Sequence, residues 1–215
     1  MGFFQFLQDR RSVLSFLAYQ HMSVVVQSLV IATIVGILLA VLLYRSAAGA
    51  AAGNAMSAVG LTLPSYALLG ILIAFLSSGV VVSVIALAFY GSLPILRNAI
   101  VGLRGVDPKL VESARGMGMN RMSVLFRLEL PLAWPVIMTG VRISGQMLMG
   151  VAAITAYVLG PGLGGYIFAG ISRMGGANAT NDIVAGTIGI LVLAVILDIV
   201  LNIITRLTTS RGIRV

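Results

Sequence analysis

Twenty consecutive residues from Val24 to Leu43 are interrupted only by Gln27, Ser28 and Thr33. At ~1.5 Å per residue, a helix of that length covers the ~30 Å hydrocarbon layer of a bilayer. Such a run predicts a first transmembrane helix. A cleaved leader is the rival reading, because the small residues Ala47 to Ala52 follow. Its apolar core would be unusually long, and the basic pair Arg10 and Arg11 lies well upstream.

The rest of the chain has the same character. Of 215 residues, 59% are hydrophobic and 9% charged, and mean hydropathy is +1.08, so too little polar material remains to clothe a water-soluble surface. The formal charge of +8 does not imply nucleic acid, since the basic residues sit mainly in short segments between apolar runs, where they orient a membrane protein. With no cysteine, disulfides, thiolate catalysis and Cys metal sites are excluded. His21 is the only histidine, so an imidazole triad or a His-based zinc site has little to work with.

Further spans are expected at about 54–76, 80–96, 133–159 and 183–204, which makes the chain an all-α polytopic bundle of about five spans. Only Ser77, Ser78 and Gly79 join the second and third, implying an antiparallel hairpin. Pro64 and Pro94 should kink these helices, and each frees a carbonyl that a neighbouring helix, hydroxyl or water must satisfy in lipid. Residues 1–22 mix Phe3, Phe4, Phe6 and Leu7 with Asp9, Arg10 and Arg11, which predicts an interfacial amphipathic segment ahead of a membrane domain over 23–215.

Five spans put the termini on opposite sides. One set of connecting segments carries Arg45, the six basic residues between Arg97 and Arg127, and Arg206, Arg211 and Arg214; the other carries Arg10, Arg11 and Arg173. By the positive-inside rule, segment 97–131 and the C-terminus face the cytoplasm and the N-terminus faces outward. The expected location is the plasma (inner) membrane of a prokaryote.

Segment 97–131 is the one long polar stretch. Asp107-Pro108 is a helix start, with a side-chain acceptor for free backbone N–H groups and a proline pre-set for the first turn. The helix should run from Lys109 to Met117 and break at Gly116 and Gly118. Asn120 should cap a second short helix that Pro131 ends or kinks. An amphipathic loop lying on the membrane explains these features as well as a helix docked in a partner's groove does.

Glu112-Ser113-Ala114, then Gly118, Leu128 and Leu130-Pro131 resemble the EAA loop of binding-protein-dependent ABC importer permeases, with Ser113 where the family has a second alanine. The stretches LPILRNAIVGLRGVDPKLVESARGMGM, ELPLAWPVIMTGVRIS and LGPGLGGYIFAGI are similar to the osmoprotectant subfamily, which handles glycine betaine, carnitine and choline. The resemblance covers most of the chain from the first span onward. It implies that Glu112, Ser113, Ala114 and Gly118 form a coupling helix in a cleft of a cytoplasmic ABC ATPase dimer. Arg115 and Arg121 would be polar contacts, and Leu130 and Pro131 would join the helix rigidly to the fourth span.

The resemblance further implies an extracytoplasmic solute-binding protein and a second permease subunit, identical or related, completing the pore. No cofactor is expected in this chain, and ATP and Mg would be held by the partner. The chain is not expected to be an enzyme, since its only lysine, Lys109, lies between Pro108 and Leu110, not in a Gly-Lys-Ser/Thr phosphate loop.

Within the spans, Arg142 and Gln146 lie one helical turn apart and are candidates for the substrate pathway or a subunit interface. The preferred alternative has Arg142 snorkelling to the cytoplasmic boundary. Asp198 is read the same way, as a partner for Arg142 or a boundary residue. Tyr66 and Tyr157 are further pathway candidates, since ring faces bind quaternary ammonium, although aromatic residues in membranes are more often packing or interface anchors. Gly160 to Gly165 reads as a turn or a docking surface for the binding protein, and Gly140, Gly145 and Gly150 as close-packing positions.

Three other functions compete. An ABC permease for another small solute, such as an amino acid, shares every feature above except the subfamily wording. An ion-coupled secondary transporter would favour embedded carboxylates, and only Asp198 qualifies; a membrane-embedded enzyme lacks a cluster of acid–base groups.

Overall fold

A computed structural model describes residues 2–209, so Arg211 and Arg214 lie outside the described residues. Helices account for nearly all of it. The order is α1 (Phe3–Leu43), α2 (Ala47–Thr62), α3 (Ser65–Phe75), α4 (Gly79–Arg104), α5 (Pro108–Gly116), α6 (Arg121–Val124), α7 (Leu130–Ile154), α8 (Gly164–Ser172) and α9 (Ala179–Thr208). A π-turn, Leu125–Glu129, fuses α6 to α7, and a 3₁₀ turn, Thr155–Val158, follows α7.

Contacts fix the directions of the long helices. Ala40 and Tyr44 of α1 pack with Ala99, Ile100 and Leu103 of α4, so these two run parallel. Gly102 meets Ala133 while Gly140 meets Pro94, Ile95 and Asn98, so α7 runs antiparallel to α4. Likewise Gly53 meets Ile100 and Gly60 meets Leu93, which makes α2 antiparallel as well. Helix α9 reverses again, with Leu197 and Leu201 against Gly145. The chain therefore alternates down, up, down, up, down, and one pole gathers the ends of α1, α4 and α9 together with α5. The start of α1, α3, the 3₁₀ turn and α8 gather at the other.

Helices α4 and α7 form the centre. Gly102 and Gly140 lie where an added Cβ would stand 3.0 Å from the Ala133 carbonyl and 2.8 Å from the Asn98 Cβ. Small residues here let the two backbones approach, and van der Waals contact replaces the hydrophobic drive that lipid removes. Gly145 packs tightly too, but Gly150 has open space and plays no such part.

The observed helices differ from the apolar runs in instructive places. Hydropathy marks the stretch that suits hydrocarbon, whereas a helix continues until something caps it. Helix α2 starts at Ala47, because the Ser46 hydroxyl accepts from the Gly49 N–H at 2.9 Å and the alanines that follow are strong helix formers. Helix α4 runs on past Arg97 to Arg104, so part of the polar segment is the end of a span. Residues 3–22 form one helix with the first span, 41 residues without a break, with Asp9, Arg10 and Arg11 exposed on its surface.

Pro64 does more than kink its helix. Leu63 and Pro64 are extended, and α2 and α3 meet at 89°. The Leu63 carbonyl left over at this break accepts from the Tyr90 hydroxyl at 2.8 Å. Pro94 is held inside α4, and next to the carbonyl it frees, Ser144 donates to the Gly91 carbonyl at 2.7 Å. Among the described residues, four helices are long and apolar enough to cross a membrane, or five if the bent pair α2–α3 counts as one span.

Candidate functional site

Helix α5 stands at one pole with both ends sealed locally. Asp107 accepts from the Lys109 N–H at 2.9 Å, and Pro108 occupies the first position. At the other end Met119 N–H donates to the Ala114 carbonyl at 3.1 Å and Gly118 N–H to the Arg115 carbonyl at 2.9 Å. This pairing is a Schellman closure, and it requires Gly118 in the left-handed region, where its φ is +85°. Gly118 is therefore needed first for its backbone: a Cβ there would touch nothing in this chain. Asn120 accepts from the Ser123 N–H at 2.8 Å and starts α6 as its sequence predicts.

Of the expected docking residues, Ala114 is buried beneath the helix, while Glu112, Ser113, Arg115, Gly118 and Arg121 are exposed. Leu130 is half-buried and Pro131 exposed, at the start of α7. Met117, Met122 and Phe126 stand out at 77%, 61% and 60% exposure, so this pole presents large apolar side chains between charged ones.

Pro131 neither ends nor breaks the helix ahead of it. Residues 121–154 remain helical because the π-turn at Leu125–Glu129 widens the backbone one turn before Pro131. A proline has no N–H for the carbonyl four residues back, and its ring crowds that carbonyl; a π-turn relieves both. Segment 121–129 is thus a helical extension of α7.

A cluster that the sequence reading overlooked holds this extension. Glu129 in the π-turn is 7% exposed, and its carboxylate accepts from the Tyr44 hydroxyl at 2.6 Å. Arg45 Nε donates to the same hydroxyl oxygen at 2.9 Å, and Arg45 Nη2 lies 4.0 Å from Glu129 Oε2. Burial, then the bond to Glu129, pushes the Tyr44 phenol above its ordinary 10.0, while the bond to Tyr44 raises Arg45. The cluster ties the end of α1 to the root of α7. Residues 85 apart in sequence carry no local pattern that pairs them.

Inside the bundle, Arg142 is paired with Asp198. It is the middle residue of α7, about 18 Å of helix from either end, and its Nε and Nη2 grip Asp198 of α9 with contacts of 2.9–3.2 Å. Gln146 Nε2 adds a third donor to Asp198 Oδ1 at 2.9 Å, so the one-turn spacing does place both groups on one carboxylate. About a third of each charged side chain is exposed. The two pathway aromatics also meet: Tyr66 of α3 and Tyr157 of the 3₁₀ turn have centroids 5.4 Å apart.

Residues 160–163 form a turn packed inward, and Gly164 and Gly165 start α8. Gly162, at φ +116°, lies against His21, and Gly164 leaves no room for a Cβ against the Ala153 carbonyl. Nearby, Arg173 of the loop after α8 pairs with the buried Asp182 of α9 at 2.9 Å.

Comparison with known proteins adds three findings. Residues 32–210 match the family described as binding-protein-dependent transport system inner membrane component. The choline transport system permease protein OpuBB of Bacillus subtilis (strain 168) is 37% identical over 98% of this chain and 95% of its own length. The glycine betaine/carnitine/choline transport system permease protein OpuCB of the same organism is 36% identical over 97% and 94%. Among solved structures, a chain of the MetNI methionine ABC transporter in an inward-facing conformation superposes with a TM-score of 0.78 at 20% identity, covering 94% of this chain and 99% of that one. At that identity the likeness speaks for the fold.

Proposed function

The chain belongs to the family of binding-protein-dependent transport system inner membrane components, and from that membership we propose how its parts divide the work of an ABC importer. It is a membrane permease subunit, not the hydrolytic one. It forms half of a translocation pore for a quaternary-ammonium or related compatible solute, in keeping with the choline, carnitine and glycine betaine named for its relatives. A second permease, identical or related, supplies the other half, and an extracytoplasmic binding protein delivers the solute.

The observation that carries the coupling role is α5 itself. It is a helix closed at both ends, exposing Glu112 and Arg115, and a four-residue turn leads from it to α6 and the π-turn that continue into α7. Exposed apolar side chains beside it, Met117, Met122 and Phe126, suit burial against a protein partner. A cytoplasmic ABC ATPase dimer, holding ATP and Mg, grips α5 in a groove of each subunit. Its closure is carried through residues 121–131 into α7, which switches access to the pore. In this reading the pole bearing α5 and the end of α9 is cytoplasmic, and the start of α1 faces outward, as the basic residues favour.

The test is co-purification. Glu112→Lys and Gly118→Leu are expected to insert normally in the membrane yet lose the ATPase and binding-protein-dependent choline uptake. Wild-type amounts of ATPase retained by both variants would overturn the docking role. Unchanged uptake after deletion of the ATPase would overturn the energy source.

A further inference from the structure

Three aromatic rings from three separate elements converge at the pole away from α5. Tyr66 lies in the first turn of α3, directly after the 89° bend; Tyr157 is in the 3₁₀ turn; Phe168 is on α8. Tyr66 and Tyr157 meet edge to face at 5.4 Å and 83°, and Tyr157 and Phe168 meet tilted at 6.3 Å and 49°. An edge-to-face pair uses one face of one ring and leaves the others open. The two tyrosines are indeed far from core packing, with Tyr157 67% and Tyr66 47% exposed.

The turn that carries Tyr157 is held more tightly than an exposed loop requires. Leu159, its C-cap, adopts the left-handed region at φ 60°, where a bulky side chain is strained. Gly79, at the start of α4, lies so close to the Val158 and Leu159 carbonyls that a Cβ has no place. Gly160 packs equally tightly on Thr155 and Ser83. Strain of this kind persists only where the surroundings over-determine it, and it concentrates at functional sites.

A quaternary ammonium group has no N–H to donate, so hydrogen-bonding side chains recognise it poorly. Its methyl-clad charge is attracted to ring faces within ~6 Å of their centroids. We propose that Tyr66, Tyr157 and Phe168 form a transient receiving site for the quaternary ammonium head of the solute, at the mouth where it leaves its delivering protein. The site rests on the solute class proposed above. Its open geometry gives weak capture, as a path needs when what enters must also leave.

The experiment measures uptake of choline and glycine betaine by the complete importer, permease, ATPase and binding protein, in proteoliposomes. Tyr157→Leu and Tyr66→Leu should each lower kcat/KM about two- to fivefold, the range for a single exposed cation–π contact, while Tyr157→Phe stays near wild type. Because leucine could disturb packing, the deciding series places phenylalanine bearing one, two or three ring fluorines at position 157. Shape is then kept while the ring face loses its negative potential, so uptake should fall stepwise with fluorine number. A flat fluorine series, or leucine variants equal to wild type, overturns the site and leaves the importer reading standing. A wild-type complex that takes up neither solute overturns the solute class, and the site with it.

Discussion

The Tyr44 hydroxyl, at the end of the first helix, donates a 2.6 Å hydrogen bond to the buried carboxylate of Glu129, in the π-turn that joins α6 to α7. Two segments distant in sequence are thereby fixed to each other where α5 meets the bundle. Tyr44→Phe removes the donor and leaves the carboxylate only Arg45, 4.0 Å away. A buried acceptor without its donor costs ~1–3 kcal/mol. The expected outcome is a several-fold loss of solute-stimulated ATP hydrolysis with normal ATPase co-purification. Glu129→Gln, which still accepts from Tyr44, should lose less.

The same bond sets an alkaline limit. Burial and Glu129 hold the phenol above its ordinary 10.0, so the folded chain keeps this proton more tightly than the unfolded chain does. The stabilisation is complete below pH 10.0 and drains away as pH rises through the folded-state value. Thermal midpoints of the detergent-solubilised protein should therefore show no contribution from Tyr44 ionisation across the neutral range. Above pH 10.0, wild type should fall more steeply than Tyr44→Phe.

At the end of α5, two glycines two residues apart should behave differently. Gly118 has φ +85°, so Gly118→Ala strains the backbone by ~1 kcal/mol and weakens the Schellman closure although nothing blocks the new methyl. Gly116 is helical and equally open, so Gly116→Ala should stabilise α5 slightly. Limited proteolysis across residues 107–121 in both variants checks the contrast, with faster cutting expected only for Gly118→Ala.

The ion pair across α7 and α9 is expected to act as a unit. Asp198→Ala leaves the Arg142 guanidinium at mid-helix with no counter-charge, whereas Arg142→Ala with Asp198→Ala removes both charges. The single variant should lose about 2 kcal/mol, less than the ~3–5 kcal/mol of a fully buried pair because a third of each side chain is exposed. The double variant should recover part of that loss. A double-mutant cycle on thermal stability reads the coupling, and additive losses would contradict it.

Much of this was legible in the sequence because the relevant physics is local. The Asp107-Pro108 start, the Asn120 cap, a bend at Pro64 and the shared face of Arg142 and Gln146 each follow from residues within a few positions of one another, although the bend at Pro64 proved to be a full break. Helix ends were legible only roughly, since apolarity stops where hydrocarbon would stop while α2, α4 and α9 continue to their caps. Pro131 does not end its helix because a π-turn absorbs it, and no residue type announces a π-turn. Asp198 was named as a possible partner of Arg142, but a separation of 56 residues left that pairing undecided against a boundary position. Tyr44, Arg45 and Glu129 were missed for the same reason.

Helix α1 is unbroken from Phe3 to Leu43 and contains no proline. Phe6 is seated against Tyr166 of α8, while Tyr44, 38 residues on and so about 57 Å distant, is fastened to Glu129. One uninterrupted helix therefore joins the two contacts. Under the coupling role proposed above, a movement at the root of α7 would be passed along this helix to the pole that carries α8.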